Sequence, residues 1–270
     1  IFNVFGDWFC VFVLDLGVFG AGLATATGAV ISLAVMCSHF FSRKCTLHLV
    51  PVQKLFKKLG EIAVTGFSSF FVDVAMGILT VLFNRQIMKY LDSDALAVYA
   101  TVINISTFVQ CCAYSVGQAA QPILSTNYGA NNAARIRQAL HLALGTSMVF
   151  AAFWTGLSEL FPQLYIHIFM RPSAEILAIA PAIIRRYSVS FVLLPVNIFS
   201  TYYFQSILHP KDSFIVSIAR GLLVSGLLIF ALPALFAPEA IWWAMPLTEL
   251  VTSVYAAYAM RKSLTGLCTN

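Results

Sequence analysis

Two acids fall in the middle of long apolar stretches. Asp73 sits in "GFSSFFVDVAMGILTVLFN", with eleven uncharged residues on each side before Glu61 and Arg85. At ~1.5 Å of rise per residue, a helix would carry it near the midplane of a ~30 Å hydrocarbon layer. Glu249, in "MPLTELVTS", lies nine residues after Ala240 and twelve before Arg261. An ionisable group at that depth is costly and is first read as functional. A carboxylate can hold a proton, Na⁺ or an organic cation in mutually exclusive states, which is what antiport requires. The plainer reading makes each acid a hydrogen-bonding or ion-pairing anchor inside a helix bundle. Pro246, three residues before Glu249, is expected to loosen its helix and free backbone carbonyls.

Polar but uncharged groups come next. Asn104, Tyr114 and Gln118 are spaced by ten and four residues and fall on nearby faces of one helix. Asn197, Tyr202, Tyr203 and Gln205 lie on a second. Such groups can line a polar cavity or join helices by hydrogen bonds. Asn104, Tyr114, Gln118, Asn197 and Tyr203 are taken as candidate substrate- or ion-binding residues with Asp73 and Glu249. Some of the 23 phenylalanines can meet flat organic cations by cation–π contact. Arg220, about two turns into its helix, is expected to snorkel to the nearer interface.

Other chemistry finds little support. The five histidines fall near span ends or in loops and form no HExxH pair. Cys10, Cys37, Cys45, Cys111, Cys112 and Cys268 show neither metal nor disulfide spacing. No P-loop, GxSxG or GxGxxG stands in a supporting context. The expectation is a protein without metal or cofactor that is not an enzyme. Energy for any transport would come from an ion gradient.

The elements that must position these residues are membrane helices. The 270 residues are 60% hydrophobic and 10% charged, with mean hydropathy +0.85. A soluble domain carries roughly 25% charged residues, and a water-soluble globule needs a polar shell that this chain cannot supply. Apolar stretches of spanning length recur at about 1–14 (partial), 17–40, 61–84, 96–119, 138–160, 178–206, 213–235 and 240–260. Only helices or closed barrels satisfy the backbone in lipid, and barrel alternation is absent. An all-α polytopic membrane protein is expected. "IFNVFGDWFCVFVLDLGVFGAG" has no basic n-region and no cleavage site, so it reads as the end of a helix begun upstream.

Basic residues orient the chain. Arg43, Lys44, Lys54, Lys57, Lys58, Arg135, Arg137, Lys211, Arg261 and Lys262 lie at one set of loops. Arg85, Lys89, Arg171, Arg185 and Arg186 lie at the other. The richer set is read as cytoplasmic, which puts the C-terminus there too. The net charge of +5 reflects these loops rather than nucleic-acid binding.

Residues 95–134 carry no formal charge, and Arg135 and Arg137 then follow a Gly-Ala-Asn-Asn corner. Gly129 is expected to let the chain turn, and Asn131 or Asn132 to cap the next helix. The wording "GQAAQPILSTNYGANNAARIRQAL" resembles the hallmark after the eighth helix of the multidrug and toxic compound extrusion (MATE) family. Gly117, Gln121, Pro122, Ile123, Asn127, Tyr128, Gly129, Ala130, Asn132, Arg135 and Arg137 match it in register. "GVFGAGLATATGAVISL", "DALAVYATVINISTF", "NIFSTYYFQSILHPKDSFIVSIARGLL" and "AIWWAMPLTEL" resemble helices six, eight, ten-to-eleven and twelve of that family.

The resemblance implies the C-terminal portion of a twelve-helix transporter. Residues 1–41 would end the N-terminal lobe, 42–60 would be a cytoplasmic linker, 61–262 the six-helix C-terminal lobe, and 263–270 a cytoplasmic tail. It implies export of small organic, often cationic, compounds in antiport with H⁺ or Na⁺, from the plasma (inner) membrane. It also implies that family members often carry a functional acid on the helix of Asp73. A monomer in the lipid bilayer is expected for the full-length protein. The alternative is a lipid or lipid-linked-sugar flippase of the same superfamily, which would need several basic residues at depth to hold phosphates.

Overall fold

The structure is a computed structural model that describes residues 2–41 and 54–269, so most of the linker expected at 42–60, its residues 42–53, lies outside the described residues. Among the described residues every regular element is helical. The chain divides into two compact units, Ile1–Leu55 and Phe56–Asn270.

In the first unit, α1 (Phe2–Trp8) runs into a π turn at Phe9–Val13, and α2 spans Gly17–Ser38. Asp15 and Gly17 both take positive φ, +50° and +51°, and so make the sharp reversal between them. A side chain at Gly20 would collide with the Cys10 carbonyl, 2.6 Å away, so α2 packs directly against the π turn. Thr25 and Thr27 donate to the carbonyls of Ala21 and Leu23, at 3.0 and 2.7 Å. This satisfies hydroxyls on a helix whose other surface is almost wholly apolar.

The second unit opens with α3 (Leu55–Tyr90), α4 (Ser93–Gly129) and α5 (Ala133–Leu160). The short α6 (Pro162–Phe169), α7 (Ala174–Ser188) and α8 (Leu194–Ser206) follow. The set closes with α9 (Pro210–Ile218), α10 (Val224–Leu235) and α11 (Ala244–Thr269). Caps fix the starts. Asp92 accepts from Ala95 N at 2.8 Å, Asn132 from Arg135 N at 3.1 Å, and Ser173 from Ile176 N at 3.2 Å. Proline opens α6 and α9, where a missing N–H costs nothing. Pro246 falls in the first turn of α11 for the same reason, so it does not loosen the helix as its place in the sequence suggested.

Among the described residues, five stretches are long and apolar enough to cross a membrane: Gly17–Phe41, Ser93–Gly129, Ala133–Leu160, Ala174–Ser206 and Pro210–Leu235. The protein is thus a multi-pass membrane protein. Two of these stretches are interrupted part-way along. Residues 174–206 break at a 3₁₀ turn, Val189–Val192, before Pro195. Residues 210–235 carry a π turn at Ala219–Leu223. Both irregularities flank the site described below.

The corner after α4 differs in detail from its sequence reading. α4 continues through Pro122 to Gly129, and the turn is only Ala130–Asn132. Asn131 holds the left-handed φ of +53°, not Gly129. Asn131 N donates to Tyr128 O at 3.1 Å, and Asn132 N to Asn127 O at 2.9 Å. Together these close a helix-terminating motif whose left-handed residue is most often glycine or asparagine. A side chain at Gly129 would meet open space.

Candidate functional site

Two aromatic-rich cores set the frame. One gathers Phe83, Tyr99, Ile105, Tyr187, Phe191 and Trp242. Phe83 and Tyr99 stack there with ring centroids 4.9 Å apart. The other gathers Leu124, Ile136, Phe199, Tyr203, Phe204 and Ala256. Polar groups of α8, the π turn and α11 meet inside the same unit.

Arg220 stands in the π turn and is buried, and its Nε donates to Glu249 Oε1 at 2.7 Å. Glu249 is fully buried. Its second oxygen, Oε2, accepts from Asn197 Nδ2 at 2.6 Å, and the same amide donates to the Glu249 backbone carbonyl at 2.9 Å. Ser253 Oγ completes the chain by donating to Asn197 Oδ1 at 2.9 Å. One acid, one base and one amide thus neutralise and orient one another, which is what keeps such groups tolerable at depth. The expectation that Arg220 snorkels is overturned: its partner lies inside the bundle. A π turn adds a residue to the helix and redirects side chains, and such bulges gather at functional sites. Here it also brings backbones together. A Cβ at Gly221 would sit 2.9 Å from Ala75 Cβ of α3.

Arg220 forms part of the wall of two cavities. The larger holds about 260 Å³ and is lined by Tyr114 and Gln118 of α4, Thr201, Tyr202 and Gln205 of α8, and Ser217. Met76 of α3 closes one side. Tyr114 and Tyr202 meet edge to face, with centroids 6.3 Å apart and planes at 67°. The smaller holds about 60 Å³ and includes Tyr99, Ser106, Gln110 and Tyr187. Gly117 is required at the larger one, because any Cβ there would overlap the Tyr202 ring, 2.7 Å from Cγ.

The residues singled out from sequence separate accordingly. Tyr114 and Gln118 line the larger cavity. Asn197 and Glu249 are in the buried cluster beside it. Asn104 is exposed on α4 and lines neither cavity. Tyr203 is fully buried in the second core, where its hydroxyl pairs with Ser263 Oγ at 2.9 Å; its neighbour Tyr202 is the one that faces the cavity. Asp73 is on α3, three residues before Met76, and its side chain lies outside the described residues. Arg220 is the residue that sequence reasoning assigned to the interface and left out of the site. The signal was available. It lies ten residues from Pro210, and Glu249 lies twelve from Arg261, so about 15 and 18 Å of helix separate them from the same end. A mid-span acid and a mid-span base at equal depth on successive helices are natural partners. Among the described residues, no three His, Cys, Asp or Glu side chains come together as a metal site would require.

Comparison with known proteins agrees with this architecture. The chain is 23% identical over 98% of its length to "Multidrug export protein MepA" of Staphylococcus saprophyticus. It superposes with a TM-score of 0.90, at 20% identity, on an outward-facing multidrug resistance MATE family transporter of the MOP superfamily, over 100% of the chain. It also superposes, with a TM-score of 0.89 at 18% identity, on a MOP superfamily transporter from Pyrococcus furiosus, described by a binding pocket of reverse polarity. The chain spans about three fifths of these relatives, 59%, 61% and 60% of their lengths. The MatE family model matches residues 69–230, and the chain belongs to the MatE family.

Proposed function

We propose that this chain forms part of a secondary exporter that moves small organic, often cationic, compounds across the plasma membrane in antiport with H⁺ or Na⁺. The observation that carries the reading is the cavity of about 260 Å³ inside the second unit, walled by tyrosines, amides and hydroxyls. Aromatic faces suit flat organic cations, and amides orient them without a fixed charge. Tyr114, Gln118 and Tyr202 would contact the substrate. Glu249 would serve differently. Both of its oxygens are already engaged, so it holds Arg220 and Asn197 in place rather than receiving a cation. The coupling acid is then Asp73, on the helix that supplies Met76.

The Arg135 end of the unit, with the C-terminus, would face the cytoplasm. The flippase reading gains one feature, the buried Arg220. That guanidinium is paired with Glu249, however, which leaves one neutralised base where a phosphate would call for several.

The test is reconstitution of the protein in liposomes with an imposed proton gradient, an imposed Na⁺ gradient, or none. Efflux of a fluorescent organic cation should follow one gradient and vanish without it. Flux indifferent to both, or translocation of a labelled phospholipid instead, would overturn the proposal.

A further inference from the structure

The Asn-rich corner and its arginines are not used by the transport reading. Beside them lies an open groove of about 640 Å³ between α4 and α5. Its floor is small and apolar: Ala119, Ala120, Ala139 and Ala143, with Ile123 and Leu142 along the rims. Arg135, Gln138 and Asn127 line one end, while Ser115 and Thr146 at the other spend their hydroxyls on the Cys111 and Leu142 carbonyls, at 2.8 and 2.9 Å. Along α5 the groove runs from Arg135 to Thr146. Eleven residues of helix cover about 16 Å, close to the hydrocarbon depth of one leaflet, half of ~30 Å.

The charge of Arg135 at its mouth has no counter-ion among the described residues. α5 has no acidic residue in its first turn, yet Arg135 stands there, with Arg137 close behind. The N-terminus of a helix is its positive end, so a cation there is unfavourable and an anion is favoured. Asn127 donates one amide hydrogen to Ile123 O at 2.8 Å. A charged mouth over an apolar trough of one-leaflet length is complementary to one kind of molecule.

We infer that the α4–α5 groove binds an anionic phospholipid, with its phosphate at Arg135 and Gln138 and one acyl chain lying along Ala119, Ala139 and Leu142. The site would make the corner responsive to the charge of the leaflet it faces. It does not depend on the transported substrate or on the coupling ion.

The experiment is native mass spectrometry of the purified, delipidated protein titrated with phosphatidylglycerol or phosphatidylcholine of matched chains. Wild type should retain phosphatidylglycerol preferentially. Arg135→Gln should weaken that retention roughly fivefold, the worth of one arginine at an anionic surface, and leave phosphatidylcholine unchanged. Ala119→Phe, at an exposed position on the groove floor, should also weaken it, by filling the trough while keeping every charge. Three outcomes would overturn the proposal: equal retention of both lipids by wild type, full retention by Arg135→Gln, or full retention by Ala119→Phe. Competition by millimolar inorganic phosphate as effective as by the lipid would overturn it as well, since the trough would then contribute nothing.

Discussion

Arg220 Nε lies 2.7 Å from Glu249 Oε1, with both side chains buried, and the two residues come from successive long helical segments of the second unit. Removing one member of such a pair leaves the other charge buried and alone, at a cost of about 3–5 kcal/mol, whereas apolar replacement of both is often neutral. Glu249→Gln should therefore lower the thermal midpoint in detergent strongly. The double change Arg220→Met with Glu249→Met should recover most of the loss. Scanning fluorimetry on the four proteins of the cycle checks this. Additive losses in the double variant would mean that the pair is not coupled.

Asn197 donates twice to Glu249 and accepts from Ser253, so both of its amide hydrogens are spent. Asn197→Leu keeps the volume but strips both donors, and it orphans Glu249 Oε2. The expected loss is about 1–3 kcal/mol, the desolvation cost of an unsatisfied buried acceptor. Ser253→Ala, which removes only the outer link, should cost less. Equal effects of the two substitutions in chemical or thermal melts would contradict this ranking.

Gly117 and Gly129 separate two roles that look alike in sequence. Gly117→Ala must displace the Tyr202 ring and so reshape the cavity wall. It should alter apparent substrate affinity more than abundance. Gly129→Val meets open space and no positive φ, so transport and expression should stay near wild type. Uptake or efflux assays over a substrate panel, normalised to membrane abundance, distinguish the two. A severe Gly129→Val phenotype would place function in the corner itself.

The left-handed residue of that corner is Asn131, with φ +53°. Asn131→Gly should be tolerated. Asn131→Val should cost about 1–2 kcal/mol, because a Cβ is disfavoured in that region and a branched one is stiffer still. Thermal midpoints of the two variants test it, and equal midpoints would refute the assignment.

How far the sequence carried can be seen at particular residues. The helical membrane class followed from scarce charge, recurring apolar stretches and the absence of strand alternation, and the spans at 17–40 and 96–119 fell within observed helical stretches because apolar length is a strong signal. The boundary at Gly129 was missed because proline and glycine usually punctuate, while in α4 Pro122 sits on an exposed face where a bend is cheap. The 3₁₀ turn at Val189–Val192 and the π turn at Ala219–Leu223 were illegible, since nothing in "VSFV" or "ARGLL" departs from ordinary helix composition. They are imposed by packing. Arg220 was misjudged because snorkelling was weighed by depth alone, without pairing it to Glu249 at matching depth. Tyr203 was preferred to its neighbour Tyr202, although one residue is about 100° of helix and separates a core from a cavity.

Asp73 remains the residue on which the coupling reading stands. The other acid in the same region, Glu249, has both oxygens engaged by Arg220 and Asn197, so it is poorly placed to exchange a cation. Asp73 comes from α3, the helix that approaches the π turn at Ala75 and lines the larger cavity at Met76. Asp73→Asn preserves size and hydrogen bonding and removes only titration and charge. In the full-length protein it should insert and accumulate like wild type, keep its thermal midpoint within a degree or so, and lose gradient-driven efflux. Glu249→Gln should show the opposite order, with stability falling first and transport falling with it. The two profiles differ in kind, so they can be told apart without knowing the substrate. Wild-type efflux from Asp73→Asn at matched abundance would remove it as the coupling group and leave the ion to be carried by acids outside this chain.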